Sequence, residues 1–179
     1  MRINPFDENP CHRKIVSYDE VYGEIFSAIK AQVESSIDTA RLFHIGSTAV
    51  PGLRGKPMID IVAVTTRKNL RAEQAQLRKL NFHERDTWTD TDDKPYVCGS
   101  VLRNCSTYNI NIHICHREDW IHKEGLKLAH ALKAREDLCR KYELAKDKAH
   151  SLEPTDPEKY NQAKEQVIHE IYQTINSGI

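Results

Sequence analysis

The chain has 179 residues, enough for one domain that buries roughly 70% of the surface its unfolded form exposes. Lys plus Arg equals Asp plus Glu at 26 each, which excludes the global basic field that draws a protein to nucleic acid or an anionic membrane. Five cysteines, odd in number and without a C-x-x-C pair, argue against a disulfide framework. They suit a reducing compartment, and MRINPFDENP has no apolar signal core, so the expected location is the cytoplasm with no membrane partner.

Residues 1–16 carry Pro5, Pro10 and mixed charge and read as an N-terminal arm. Ser17 and Glu20 form an S-x-x-E capping box ahead of Val21, Tyr22, Ile25, Phe26, Ile29 and Val33 at helical spacing, which predicts a helix over 18–36. Arg41 to Ile45 predicts a short strand ending at a Gly46-Ser47 turn, and Met58 to Val64 a buried one. In the second strand Met58, Asp60, Val62 and Val64 share one face, and Ile59, Ile61 and Ala63 the other. Leu70, Leu77 and Leu80 mark a helix over 67–80 that Asn81 ends.

The acidic, turn-rich segment 83–95 reads as an exposed loop, because it lacks the Gly and the closing Glu of a calcium-binding loop. Tyr96 to Leu102 is a strand interrupted by Gly99, and 103–107 a turn. Tyr108 to Cys115 alternates: Ile110, Ile112 and Ile114 face a core, while Asn109, Asn111, His113 and Cys115 make a polar face. From Trp120 the apolar spacing is helical, giving one or two helices to about His150, and Asp156-Pro157 starts a last helix with Tyr160, Ala163, Val167, Ile171 and Ile175 on one stripe. The order suits a mixed α/β (α+β) fold, a sheet flanked by helices. The chain divides into the arm 1–16, an α/β core 17–116 and a helical C-terminal part 117–179 within a single domain.

The functional information is concentrated in His44 to Val64, HIGSTAVPGLRGKPMIDIVAV. A Gly-Ser turn lets the backbone approach an anion and offers N–H and hydroxyl donors. A single acid in an apolar strand, Asp60, is costly to bury unless a cation or a donor meets it. Together they suggest a phosphate site assisted by metal. Asp60 reads as a metal or substrate ligand, as a general base, as a partner of Lys56, or as an internal hydrogen-bond acceptor for the loop.

GSTAVPGL followed by KPMIDI resembles the signature of the GrpB family, whose fold belongs to the nucleotidyltransferase superfamily. The resemblance continues through NIHIC at 111–115, Trp120, and two Y-x-x-x-K spacings at Tyr142/Lys146 and Tyr160/Lys164. It implies binding of a nucleotide or small phosphorylated ligand, with His44, Gly46, Ser47, Thr48, Lys56 and Asn111 around it. It implies transfer of a nucleoside monophosphate, with Asp60 and His113 as catalytic residues and as ligands of a divalent metal, Mg²⁺ or Mn²⁺. The alternative is a non-catalytic binding or regulatory module.

The chain departs from the superfamily pattern. A pair of acids two apart is expected after the turn, but the neighbours of Asp60 at that spacing are Met58 and Val62, and the paired strand offers Asn111 and His113. The family's Phe-Arg-Asp-Tyr-Leu run after the tryptophan is replaced by Leu128 to Leu132, LAHAL. Length and charge argue against nucleic-acid polymerisation, while the apolar helical stripes leave a homo-oligomer open.

Overall fold

The computed structural model describes residues 1–38, 40–84, 91–152 and 157–177. Among them, four strands form one mixed sheet in the order β1-β2-β4-β3, where β1 is Arg41–Ile45, β2 Met58–Thr65, β3 Tyr96–Arg103 and β4 Ser106–His116. β1 and β2 are antiparallel, β2 and β4 parallel, and β4 and β3 antiparallel. The crossover from β2 to β4 carries α2, Leu70–Lys79, and β3. The central pair is therefore the one that holds Asp60 and the polar face of NIHIC, with Asp60 and Asn111 directly opposed.

One face of the sheet is the main core. Ile59, Ile61, Ile110, Ile112 and Ile114 are essentially sealed there against Val21, Ile25, Ile29 and Val33 of α1, Val21–Ser36, and Leu70 and Leu77 of α2. Each such side chain is worth roughly 1.5–3 kcal/mol of burial, enough to set the strand register against the alternative that turns them outward. The opposite face is covered too. Ile45, Val62 and Cys115 pack there with Phe43, Val64 and, from α3, Trp120–Ala134, Ile121 and Leu126.

Two more helices complete the C-terminal part: α4, Glu136–Leu152, and α5, Pro157–Asn176. The break between α3 and α4 falls at Arg135, which leaves helical geometry at φ −132°, ψ 105° and binds Asp137 at 2.8 Å. The helical part docks on the loop after the Gly-Ser turn. Ala49, Val50 and Leu53 form one apolar cluster with Ala129, Leu132, Leu138, Tyr142 and Ile171.

The arm lies on the domain. Ile3 enters the core, Asn4 pairs with Ser100 on the outer edge of β3, and Val16 pairs with Gly55. His83 pairs with Cys98 along the same outer edge, so a strand that would otherwise offer unpaired backbone is capped twice.

Two local expectations differ. The helix over 18–36 begins at Val21, and its first N–H groups are met by Asp19, whose Oδ1 accepts from Val21 N at 3.1 Å, instead of by a Ser17–Glu20 box. Asp19 is held in place because its Oδ2 accepts from Tyr108 Oη at 2.7 Å. The helix expected from 67 begins at Leu70 after one 3₁₀ turn, and Asn81 ends it in the left-handed region at φ 68°. Residues 85–90 of the acidic loop, and the Asp156 start signal, lie outside the described residues.

Candidate functional site

The site begins at the end of β1. Ile45 pairs with Asp60, and the next residue, Gly46, sits at φ 73°, ψ −170°, a region essentially confined to glycine. A Cβ there would lie 2.8 Å from Asp60 Oδ2, so the glycine serves both the turn and the close approach of backbone to carboxylate. Ser47 follows, partly exposed, with its hydroxyl packed against Gly55 so closely that a Cβ at 55 would collide with it. The same Cβ would lie 3.6 Å from Lys146 Nζ, which brings α4 to the turn.

Asp60 Oδ1 accepts a hydrogen bond from Asn111 Nδ2 at 3.0 Å, and Asn111 Oδ1 accepts from Tyr96 Oη at 2.5 Å. Burial pushes the Asp60 carboxyl above the usual carboxylate range; His113, the Asn111 hydrogen bond, Lys164 and Lys56 pull the other way. His113 stands on the same face, tilted against the Tyr96 ring at 5.3 Å. Burial favours its neutral form, against the opposing field of Asp60.

Three lysines converge on this corner from separate segments. Lys56 Nζ lies 3.7 Å and Lys164 Nζ 4.5 Å from the centre of the Tyr160 ring, and Lys146 Nζ lies 5.0 Å from that of Tyr142. Lys146 is 3% exposed, and its ammonium has no hydrogen-bond partner among the described residues. The two acids nearest it on α4 are turned to Arg54: Glu143 accepts from Arg54 N at 2.8 Å, and Asp147 pairs with the guanidinium at 2.9 Å. Burial lowers Lys146 to about 8, and burial followed by repulsion from Lys56 lowers Lys164 to about 8. The sequence points to Lys56 here but gives Lys146 and Lys164 no role; Tyr142 and Tyr160, which carry these lysines, are themselves buried in the core. The two Y-x-x-x-K spacings were the available signal, since i and i+4 share a helix face.

His44 and Thr48 are engaged inside the fold. Thr48 Oγ1 donates to Met58 O at 2.9 Å and lies 3.0 Å from His44 Nε2. Burial, then Lys133, lowers His44 to about 4, so the ring is neutral and its Nε2–H donates to Thr48. With the ring stacked on Phe26 at 4.8 Å, this chain of bonds braces the turn.

The donor set does not suit a protein-held divalent ion. Among the described residues no three His, Cys, Asp or Glu side chains come together. Asn111 turns its amide N–H₂ to Asp60 and spends its oxygen on Tyr96, and the ammonium groups of Lys164 and Lys56 act on the one carboxylate. Asp60 and His113 are thus a pair of donors, and the other oxygens of an Mg²⁺ or Mn²⁺ shell would have to come from water or a bound phosphate.

The GrpB protein family profile matches residues 12–174. The chain belongs to the GrpB family. It is 24% identical over 161 residues to the glutamate-rich protein GrpB of Alkalihalophilus pseudofirmus, covering 88% of this chain and 92% of that one. The crystal structure of the conserved protein GrpB from Enterococcus faecalis superposes with a TM-score of 0.66 at 16% identity, over 89% of this chain and 99% of that one. The Cid1 poly(U) polymerase, in a structure described as bound to Mg and 3'-dATP, superposes with a TM-score of 0.60 at 12% identity, over 85% of this chain and 50% of that one. The fold of this GrpB-family chain is thus nucleotidyltransferase-like: a mixed sheet flanked by helices, with a helical C-terminal part.

Proposed function

We propose that this chain binds a nucleotide or a small phosphorylated ligand at the corner where the Gly46-Ser47 turn meets α4 and α5. The observation that carries this reading is the gathering of Lys56, Lys146 and Lys164 around Ser47 and Asp60, with one of the three ammonium groups nearly sealed and without a hydrogen-bond partner. Unpartnered buried cations are costly, and a phosphate would supply the missing acceptors. Gly46, Ser47, Lys56, Lys146 and Lys164 contact the ligand; His44 and Thr48 hold the turn; Asn111 orients Asp60. The site lies between the α/β core 17–116 and the helical part 117–179, so both act as one domain.

Thermal denaturation tests this. A ligand at 100 times its dissociation constant stabilises the folded state by about 2.7 kcal/mol. A nucleotide panel is expected to raise Tm in the wild type and not in Lys56→Met. The absence of any shift across nucleotides and sugar phosphates would refute the reading.

A second reading, transfer of a nucleoside monophosphate, is favoured by the raised affinity of Asp60 for protons. An acceptor hydroxyl would attack the α-phosphorus, pyrophosphate would leave, and Asp60 would take the hydroxyl proton while His113 holds a proton on the same face. The Mg²⁺ or Mn²⁺ of such a reaction would belong to the incoming triphosphate; Asp60 and His113 are the side chains it would meet. Release of pyrophosphate by the wild type and its loss in Asp60→Ala is the required result. The five cysteines are free thiols, which supports a cytoplasmic setting, and among the described residues no helix is long and apolar enough to cross a membrane.

A further inference from the structure

We infer that the corner recognises a polyphosphate without a divalent metal, its lysines doing the charge neutralisation that bound cations perform in a site built of carboxylates. The inference rests on the phosphate-site reading above and specifies how that site works. Three arrangements carry it. The place of a second acid, two residues before Asp60, holds Met58, whose sulfur lies against Asn111. The parallel partner of Asp60 is Asn111, which meets Oδ1 of the carboxylate with an N–H donor where a second acid would have offered oxygens to a cation. Lys146 presents an ammonium with no hydrogen-bond partner beside Ser47 and Gly55, while Glu143 and Asp147 are drawn off by Arg54.

The consequence is a corner rich in ammonium groups. Lys56 and Lys164 share the Tyr160 ring, and Lys146 lies over Tyr142, so the aromatic faces hold the cations close together. A group with several anionic oxygens within a few ångströms, a diphosphate or triphosphate, matches three ammonium groups from a loop and two helices better than a single phosphate does. A divalent cation bound to the same oxygens would compete with the lysines for them.

Isothermal titration of the full chain with inorganic tripolyphosphate, and separately with ATP, in EDTA and again in excess Mg²⁺, tests the inference. The expected result is binding of both probes in EDTA, with an affinity that Mg²⁺ leaves within about threefold or weakens. Lys146→Met and Lys164→Gln are each expected to weaken tripolyphosphate binding at least about tenfold, and Lys141→Ala, on α4 where its ammonium pairs with Glu170 of α5, to leave it unchanged. Binding seen only when Mg²⁺ is present would overturn metal independence and leave the phosphate site standing. Failure of both probes to bind in either buffer would overturn the two together. Normal affinity in both lysine variants with unchanged circular dichroism would overturn the assignment of these residues.

Discussion

Asn111 Nδ2 donates to Asp60 Oδ1 at 3.0 Å, across a parallel register in which the two residues face each other. An amide stands where a second carboxylate would make a metal site. Asn111→Asp would place two like charges side by side in a half-buried setting and raise the proton affinity of the pair. The variant is expected to lose on the order of 1–3 kcal/mol of stability in EDTA and to regain most of it in millimolar Mn²⁺, whereas the wild type should show no such recovery. Denaturation curves in the two buffers measure this; a variant indifferent to Mn²⁺ would show that the corner cannot be converted so simply.

The sealed ammonium of Lys146 is a stability cost retained for binding. Lys146→Met keeps an unbranched side chain only one atom shorter and removes the charge, so the variant is expected to be more stable than the wild type at pH 7, by up to about 3 kcal/mol. The folded-state value near 8 lies below the unfolded 10.5, so the unfolded chain holds more protons between them. Wild-type stability therefore gains with rising pH across that window, and the advantage of the variant should shrink from pH 8 towards pH 10. Urea denaturation at pH 7 and pH 9.5 checks the sign.

Ligand affinity should move the opposite way with pH. Lys146 and Lys164 both titrate near 8 in the free protein, and a bound phosphate favours their charged forms. Tripolyphosphate binding is expected to weaken by at least about tenfold between pH 7 and pH 9.5, with protons taken up on binding near pH 8. Titrations in buffers of different ionisation enthalpy measure the uptake. A flat affinity across this range would separate the lysines from the ligand.

Gly46 and Gly52 both have positive φ, 73° and 79°, but only Gly46 faces a neighbour. Gly46→Ala combines backbone strain with a 2.8 Å approach to Asp60 Oδ2, and is expected to cost about 2–4 kcal/mol. Gly52→Ala meets open space and should cost only about 1–2 kcal/mol. Equal losses in the two variants would mean that the turn does not press on the carboxylate.

Much of the scaffold is legible locally. The alternation of Ile110, Ile112 and Ile114 and the spacing of Ile25, Ile29 and Val33 place those residues in the core because side-chain direction follows backbone period over a few residues. The Ser17 box fails because a capping signal competes with any other oxygen near the helix start, and Asp19, braced by Tyr108 from a strand far along the chain, is better placed. The covered second face of the sheet was not legible either, since Asn111 and His113 look alike in sequence whether water or a helix lies above them.

The order of residues alone determined the strands, the Gly-Ser turn, the solitary acid at 60 and the family to which these belong, all properties carried within a few neighbouring residues. Only the tertiary structure decided that Lys146 stands beside Ser47 and Lys164 beside Lys56, because that meeting depends on Val50 and Leu53 seating the helical part against the loop. Apolar packing between distant segments chose the direction of the helices, and with it which charged groups were brought to face one another.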